Sequence, residues 1–377
     1  MKFTLDWLKD YLDTNATAVE IADTLTKIGL EVESITEQIA PVAAKIVSVE
    51  DIPDTHLHKL MVDDGGPELR AVVCGAPNVR VGLVSALARP GCKIGDMEIK
   101  SGKIRGILSD GMMCSEQELC LGDDHSGIIE LDEKSEKIGK VISGYGSEIS
   151  TTLEAGITPN RPDYLAVRGV ALDLSAAGIG KYTGNLDETP DIKSTEAGLR
   201  RVIVKNEIAC PVYQFCEISG IKISASNPVV SGRLSAIGIN PKNAPVDATN
   251  YVCYDLGQPM HCFDADEING DIIVRNAENG EKFNDLFGVV HELNQSDLVI
   301  SDASGILALA GIIGGLRGMT TDKTKNIILE AAYFEPVGIR KTRTRLSLNT
   351  DSSYRFERGI YPYGSDAVSY THLHKWF

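Results

Sequence analysis

One histidine in the stretch DLGQPMHCFDADE, Asp255 to Glu267, stands between a methionine and a cysteine, just ahead of three acids. His261 has three possible uses there: a metal ligand, a group that positions or moves a proton, or a core histidine whose ring bonds to backbone. The metal reading needs a second ligand at paired spacing; none is present, and His125 and His291 lie in unrelated contexts. Glu330, in IILEAAYF, is a single acid in an apolar run with strand character. It is either a buried acceptor or a carboxylate at a strand end facing water. GIRKTRTR concentrates Arg340, Lys341, Arg343 and Arg345 within six residues, either a solvated helix face or a phosphate contact.

The eight cysteines, Cys74, Cys92, Cys114, Cys120, Cys210, Cys216, Cys253 and Cys262, include no C-x-x-C pair. Contexts such as RAVVCGAP mark them as reduced, structural thiols.

The elements that must position these residues change in texture along the chain. In 1–37, LDWLKDYL carries Leu5, Leu8 and Leu12 at helical spacing, and Thr17 with Glu20 has capping-box spacing ahead of a second helix that Gly29 ends. From 38 to 150, short apolar runs divided by Gly, Pro and Asp suit a small closed β-barrel. In 151–190 the helical pattern returns, with Asp163 placed to cap, Leu165, Leu172 and Ala176 on one face, and Gly178 as the stop. From 191 onward strands are expected at RRVIVKN, VYQFCEISGIKI, GDIIVRNA, DLVISDA and ILALAGIIGG, with helices at PVVSGRLSAIG and near 335–346.

A chain of 377 residues exceeds one ordinary core, so two or three domains are expected. Hydrophobic content of 43% with 24% charged residues is a globular composition. A net charge of −16 argues against non-specific coating of nucleic acid, though not against a local basic face. No apolar run is long enough to cross a bilayer, and the acidic, amphipathic start MKFTLDWLKDYLD is unlike a signal peptide, which gives a cytoplasmic expectation.

Several segments, taken in order, resemble the N-terminal half of the bacterial phenylalanyl-tRNA synthetase β subunit. MKFTLDWLKDYLD is similar to its opening helix, and AVVCGAPNVRVGL with IRGILSDGMMCSEQELCLGDDHSGIIEL to its tRNA-binding OB-fold insert. EAGITPNRPDYLAVRGVALDLSAAG resembles the return to the first domain; PVDATNYVCYDLGQPMHCFDADEI, NIILEAAYFEPVGIRKT and LNTDSSYRFERG resemble its editing module. The resemblance implies an α+β multidomain chain: an N-terminal α+β domain (1–37 and 151–190) interrupted by an OB-fold barrel (38–150), then an α+β editing domain with antiparallel and mixed sheets (191–368). Residues 369–377 form an atypical tail. The family's subunit continues past RFERG into catalytic-like and anticodon-binding domains, so the expectation is a truncated or chimeric reading frame.

The partners implied are tRNA(Phe) and the synthetase α subunit, which carries the aminoacylation site. ATP and Mg2+ would belong to the complete enzyme, with no cofactor or metal in this chain. That agrees with the lack of HIGH, KMSKS and P-loop signatures, and of the F-R-x-E order in YRFERG.

Editing answers a physical problem. Tyrosine is phenylalanine plus a hydroxyl, and an apolar pocket rejects such an analogue by only about 10²-fold. A second site must hold tyrosine and refuse phenylalanine, which a buried acceptor can do. Phenylalanine would strip its water and return nothing, at a cost of about 1–3 kcal/mol. On the resemblance, Glu330 is that acceptor and His261 positions water or transfers a proton at the ester. Thr249 and Asn250 in DATNY, Gly314 and Gly315 in GIIGG, and Thr350 and Ser352 in NTDSS match pocket positions, while Arg343 and Arg345 would steer the tRNA end.

Departures are Asn240 for a frequent arginine, Ser352 for a frequent alanine, the loop GGLRGMTTDKT without its usual acid, and DTHLHKLMVDDGG in place of the usual barrel start. Asn240 and the altered glycine loop motivate a rival reading, a tRNA- or protein-binding module with an inert pocket; a further reading is a chain that folds without activity.

Overall fold

The computed structural model describes residues 1–94, 97–119, 121–122, 124–143, 149–184 and 200–362. Cys120 and the closing VSYTHLHKWF lie outside these.

The chain opens with β1 (Lys2–Thr4) and α1 (Leu5–Lys9), the latter capped by the Thr4 hydroxyl. The expected stripe through Leu12 is cut short: Leu12 leaves the helix and pairs in a small sheet with Tyr182, a tertiary contact that overrides the periodicity. The capping box forms at the head of α2 (Ala18–Lys27), and Gly29 adopts φ +99° as the left-handed stop. β2 (Val32–Ile39) then leads into the barrel.

The barrel strands are β3 (Val42–Asp51), β4 (His58–Asp63), β5 (Arg70–Cys74), β6 (Val84–Ala88) and β7 (Met112–Met113), in the spatial order β7-β6-β3-β4-β5. The sheet is brought nearly to closure where the Asp110 amide donates to the Ala71 carbonyl at 2.8 Å and the Val73 amide donates to Ser109 Oγ at 3.0 Å.

The chain returns through β8 (Ile149–Ala155), which lies between β1 and β2, and α3 (Val167–Ala176). Here the expected face holds only at Leu165, which is buried. Val167, Val170, Ala171 and Leu174 are buried, whereas Leu172 and Ala176 are exposed. Asp163 pairs with Arg161 in a preceding 3-10 turn rather than capping. The helix starts four residues later than Asp163, so its 3.6-residue period is phased differently.

Two sheets make up the later part. The first runs β9 (Val202–Val204), β12 (Ile272–Asn276), β15 (Leu298–Asp302), β16 (Gly305–Leu309) and β17 (Ile313–Gly314) in spatial order, with a β9/β12 parallel pair. The second has β18 (Asn326–Tyr333) between β10 (Val212–Ser219) and β11 (Met260–Asp264), all antiparallel. Ile328, Ala332 and Phe263 of the second sheet share one core with Val274, Ile300, Leu307 and Leu309 of the first. The opposite face of β18 buries Ile327 and Leu329 with Cys262. A small hairpin, β13 (Lys282–Asn284) and β14 (Val290–Glu292), stands beside β17.

Between β10 and β11 come α4 (Pro228–Ala236) and α5 (Ala244–Asp255). Their Val230, Leu234, Ile237 and Tyr251 are buried not with these sheets but with Phe3, Trp7, Leu8 and Val167 of the first core. Asp255 at the end of α5 accepts from Trp7 Nε1 at 2.7 Å and from the Tyr11 hydroxyl at 2.6 Å. The last described helices are α6 (Pro336–Leu346) and α7 (Asp351–Phe356). Arg355 of α7 is 2% exposed; it donates to the Leu165 carbonyl and lies over the Tyr254 ring, clamping the two halves. Cysteines within the described residues are free thiols, and no described helix is long and apolar enough to cross a membrane.

Candidate active site

From Ile327 to Ala332, β18 is apolar on both faces except at Glu330, because it is the central strand and is covered on both sides. Antiparallel register sets Phe215 of β10 and His261 of β11 directly opposite Glu330, one on each side. Directly opposed residues point to the same face with Cβ atoms about 5 Å apart. That face is the one turned to the first sheet.

Glu330 is 6% exposed, and its Oε2 accepts a hydrogen bond from the Tyr213 hydroxyl at 3.1 Å. Burial pushes its acid up to about 8, with the Tyr213 bond pulling partly back. Burial and the same hydrogen bond raise the Tyr213 phenol well above its usual range, so it stays a donor. Cys210, close by, is pushed up to about 12 by burial and then by the Glu330 charge.

His261 still reaches solvent at one edge, yet burial pushes its imidazole down to about 4, and the ring is neutral at physiological pH. The edge of Phe263 meets the ring at 4.4 Å between centroids. Among the described residues no protein group bonds its nitrogens.

Gly314 explains how the imidazole fits. A Cβ on it would lie 2.9 Å from His261 Nε2 and run into Cε1, so the missing side chain is the room the ring occupies. The side on which Gly314 lacks a Cβ is filled by His261, and that of Gly315 by the Leu307 carbonyl and the Phe283 ring. The Leu286 amide donates to the Gly314 carbonyl, fixing this segment to the β13–β14 hairpin.

Thr350 and Ser352 brace the same turn from α7. The Thr350 hydroxyl donates to the Ile312 carbonyl at 2.8 Å while capping α7, and the Ser352 hydroxyl donates to the Gly311 carbonyl at 3.0 Å. Thr249 is buried in α5, its hydroxyl donating to the Val246 carbonyl; Asn250 follows it, partly buried, on the helix packed against β11. Arg343 is engaged with Glu357 and Asn349, and Arg345 with Asp297, so both expected phosphate contacts are committed within the protein. Arg340 and Lys341 on the same helix are exposed.

Tyr213 was missed by sequence reasoning. The alternation in VYQFCEIS does place Tyr213 and Phe215 on one face, but nothing in it points to an acid 117 residues away. Two cavities lie apart from this face. One of about 510 Å3 is on the barrel beside Asn78, Glu116 and Asp124; another of about 550 Å3 lies between Thr36, Thr152 and Arg233.

Comparison with known proteins supplies the rest. The B3/4 domain family matches residues 209–372, and the putative tRNA binding domain family matches residues 42–140. The chain is similar to the phenylalanine–tRNA ligase beta subunit of Bartonella henselae, with 42% identity over 369 residues, 96% of this chain and 46% of that protein. It is also similar to that of Paramagnetospirillum magneticum, with 43% identity over 371 residues and the same coverage. The chain thus spans about half the length of the curated relatives it matches. A solved N-terminal fragment of the phenylalanyl-tRNA synthetase beta subunit from Pyrococcus horikoshii has 18% identity and a TM-score of 0.32 over 53% of this chain and 61% of the other. That likeness is too distant to bear on domain arrangement.

Proposed function

Starting from the homology of this chain to phenylalanine–tRNA ligase beta subunits over 96% of its length, we propose that it binds tRNA(Phe) and hydrolyses the ester of a wrongly attached tyrosine. The observation that carries this reading is a buried acid and a neutral imidazole set side by side in strand register. Glu330 would take the phenol that tyrosine has and phenylalanine lacks. His261 would accept a hydrogen bond from a water molecule aimed at the ester carbonyl. Water adds to that carbonyl, the bond to the ribose oxygen breaks, and the proton water loses ends on the released ribose hydroxyl. An imidazole held near 4 is a weak base, which favours orienting the water over removing its proton.

Synthesis of the correct ester, with ATP and Mg2+, would fall to an α-subunit partner in the complete enzyme, in the cytoplasm. Among the described residues no group of three or more His, Cys, Asp or Glu side chains is placed to take a metal ion, and no step here runs through one.

The test gives the purified chain Tyr-tRNA(Phe) and Phe-tRNA(Phe). Faster deacylation of the tyrosyl ester, lost in His261→Ala and made unselective in Glu330→Ala, is the expected result. Binding of tRNA without deacylation would instead favour a non-catalytic module.

A further inference from the structure

A carboxyl and an imidazole directly opposed on neighbouring strands, largely shielded from solvent, can form an ion pair. Their Cβ atoms stand about 5 Å apart, within reach of a hydrogen bond, and each charge would relieve the burial of the other. Glu330 and His261 have this placement, but no bond joins them. The carboxyl instead meets the hydroxyl of Tyr213, which reaches it diagonally from β10, two residues along from the directly opposed Phe215.

We propose that Tyr213 is a positioning residue that holds the Glu330 carboxyl away from His261, keeping two neighbouring groups from becoming an ion pair. The proposal deepens the editing reading and rests on it for its consequence, since each group needs its uncharged state for the work assigned there. An imidazolium has no lone pair to accept a bond from water. A carboxylate tied to it has no oxygen directed at an incoming phenol. The values of about 8 for the acid and about 4 for the imidazole agree with an unpaired couple, because pairing would move both in the opposite directions.

Neighbouring elements offer no other counter-charge. Phe263 and Gly314 flank the imidazole, and Tyr213, Phe215 and Cys210 approach the carboxyl. Among these described neighbours, Tyr213 and Cys210 alone can titrate, and burial holds both uncharged. Losing the Tyr213 hydroxyl therefore frees Glu330 Oε2 to turn toward the directly opposed His261.

The experiment follows the His261 imidazole through a pH titration by NMR on the full 377-residue chain, a readout independent of catalysis. In the wild type, the ring signals should stay flat from pH 5.5 to 8. In Tyr213→Phe a titration should enter that range, its midpoint raised by about two units or more, and Tyr213→Phe with Glu330→Gln should abolish it. Deacylation by Tyr213→Phe should fall below the wild-type rate at pH 6.5, where the imidazole would be protonated and the carboxylate tied to it.

An unchanged titration in Tyr213→Phe would overturn the proposal. So would a lower His261 midpoint in Glu330→Gln made in the otherwise wild-type chain, a test that survives if Tyr213→Phe does not fold, because it would show the pair already coupled. A chain with the expected titrations but no deacylation would retain the Tyr213 assignment and lose the editing function.

Discussion

Glu330 and His261 face each other across β18 and β11 in direct register, yet the acid bonds to Tyr213 and the imidazole is left to itself. This relationship sets what pH should do to the site.

Burial keeps the imidazole near 4, so between pH 6 and 8 it remains neutral and should impose no limb on the rate of ester hydrolysis. His261→Ala should lower kcat by about 10²-fold, with a smaller change in KM. Any limb that appears should fall near 8 and vanish in Glu330→Gln. A rate that climbs steeply from pH 6 to 7 would contradict a neutral ring.

Glu330 also links pH to stability. Its acid is raised from 4.5 to about 8 in the folded chain, which favours the protonated form there. Its contribution is fully present below about pH 4.5 and is lost as pH rises through 8. Between pH 5 and 9 the wild type should lose a few kcal/mol that Glu330→Gln does not. Urea denaturation of both chains at each pH checks this.

Alanine at Gly314 should add a methyl group where the His261 ring lies, costing about 1–3 kcal/mol and moving the imidazole. Gly315→Ala drives its methyl into the Leu307 carbonyl instead, so its damage should fall on the fold. Measured together, thermal midpoints and deacylation rates should separate the two: Gly314→Ala should lose more rate than its stability accounts for.

Asp255→Ala should strand the buried donor Trp7 Nε1, at about 1–3 kcal/mol, and remove the acceptor of the half-buried Tyr11 hydroxyl at a smaller cost. Asp255→Asn, which keeps an acceptor oxygen, should lie between this and the wild type. Thermal unfolding followed by tryptophan fluorescence reports directly on Trp7. A midpoint unchanged in Asp255→Ala would mean that the junction between α5 and α1 contributes little.

The parts of this molecule legible from its residues are those governed by local rules. The Thr17–Glu20 capping box, the left-handed glycines at 29 and 178 and the strand runs of the later sheets follow from short-range sterics and alternation. The run ILALAGIIGG hid two strands, because Gly311 at φ +67° turns the chain between β16 and β17. α5 was not anticipated, although Asn243 as its cap and Pro245 in its first turn were visible cues. The site divides in the same way. An acid alone in an apolar run announced Glu330, whereas the partner of its carboxyl, the room for the imidazole and the commitment of Arg343 and Arg345 depend on register between distant strands and helices.

The barrel has a further consequence. β2 and β8, which lead into and out of it, pair with each other up to Ile39 opposite Ile149, and Val42 bridges Val141 just inside. The whole insert hangs from a closed neck. Joining the two paired strands by a tight turn would remove it as a bead is unclipped from a string, leaving the β1-β8-β2 pairing unbroken. The proposed RNA docking and ester cleavage could then be tested one without the other.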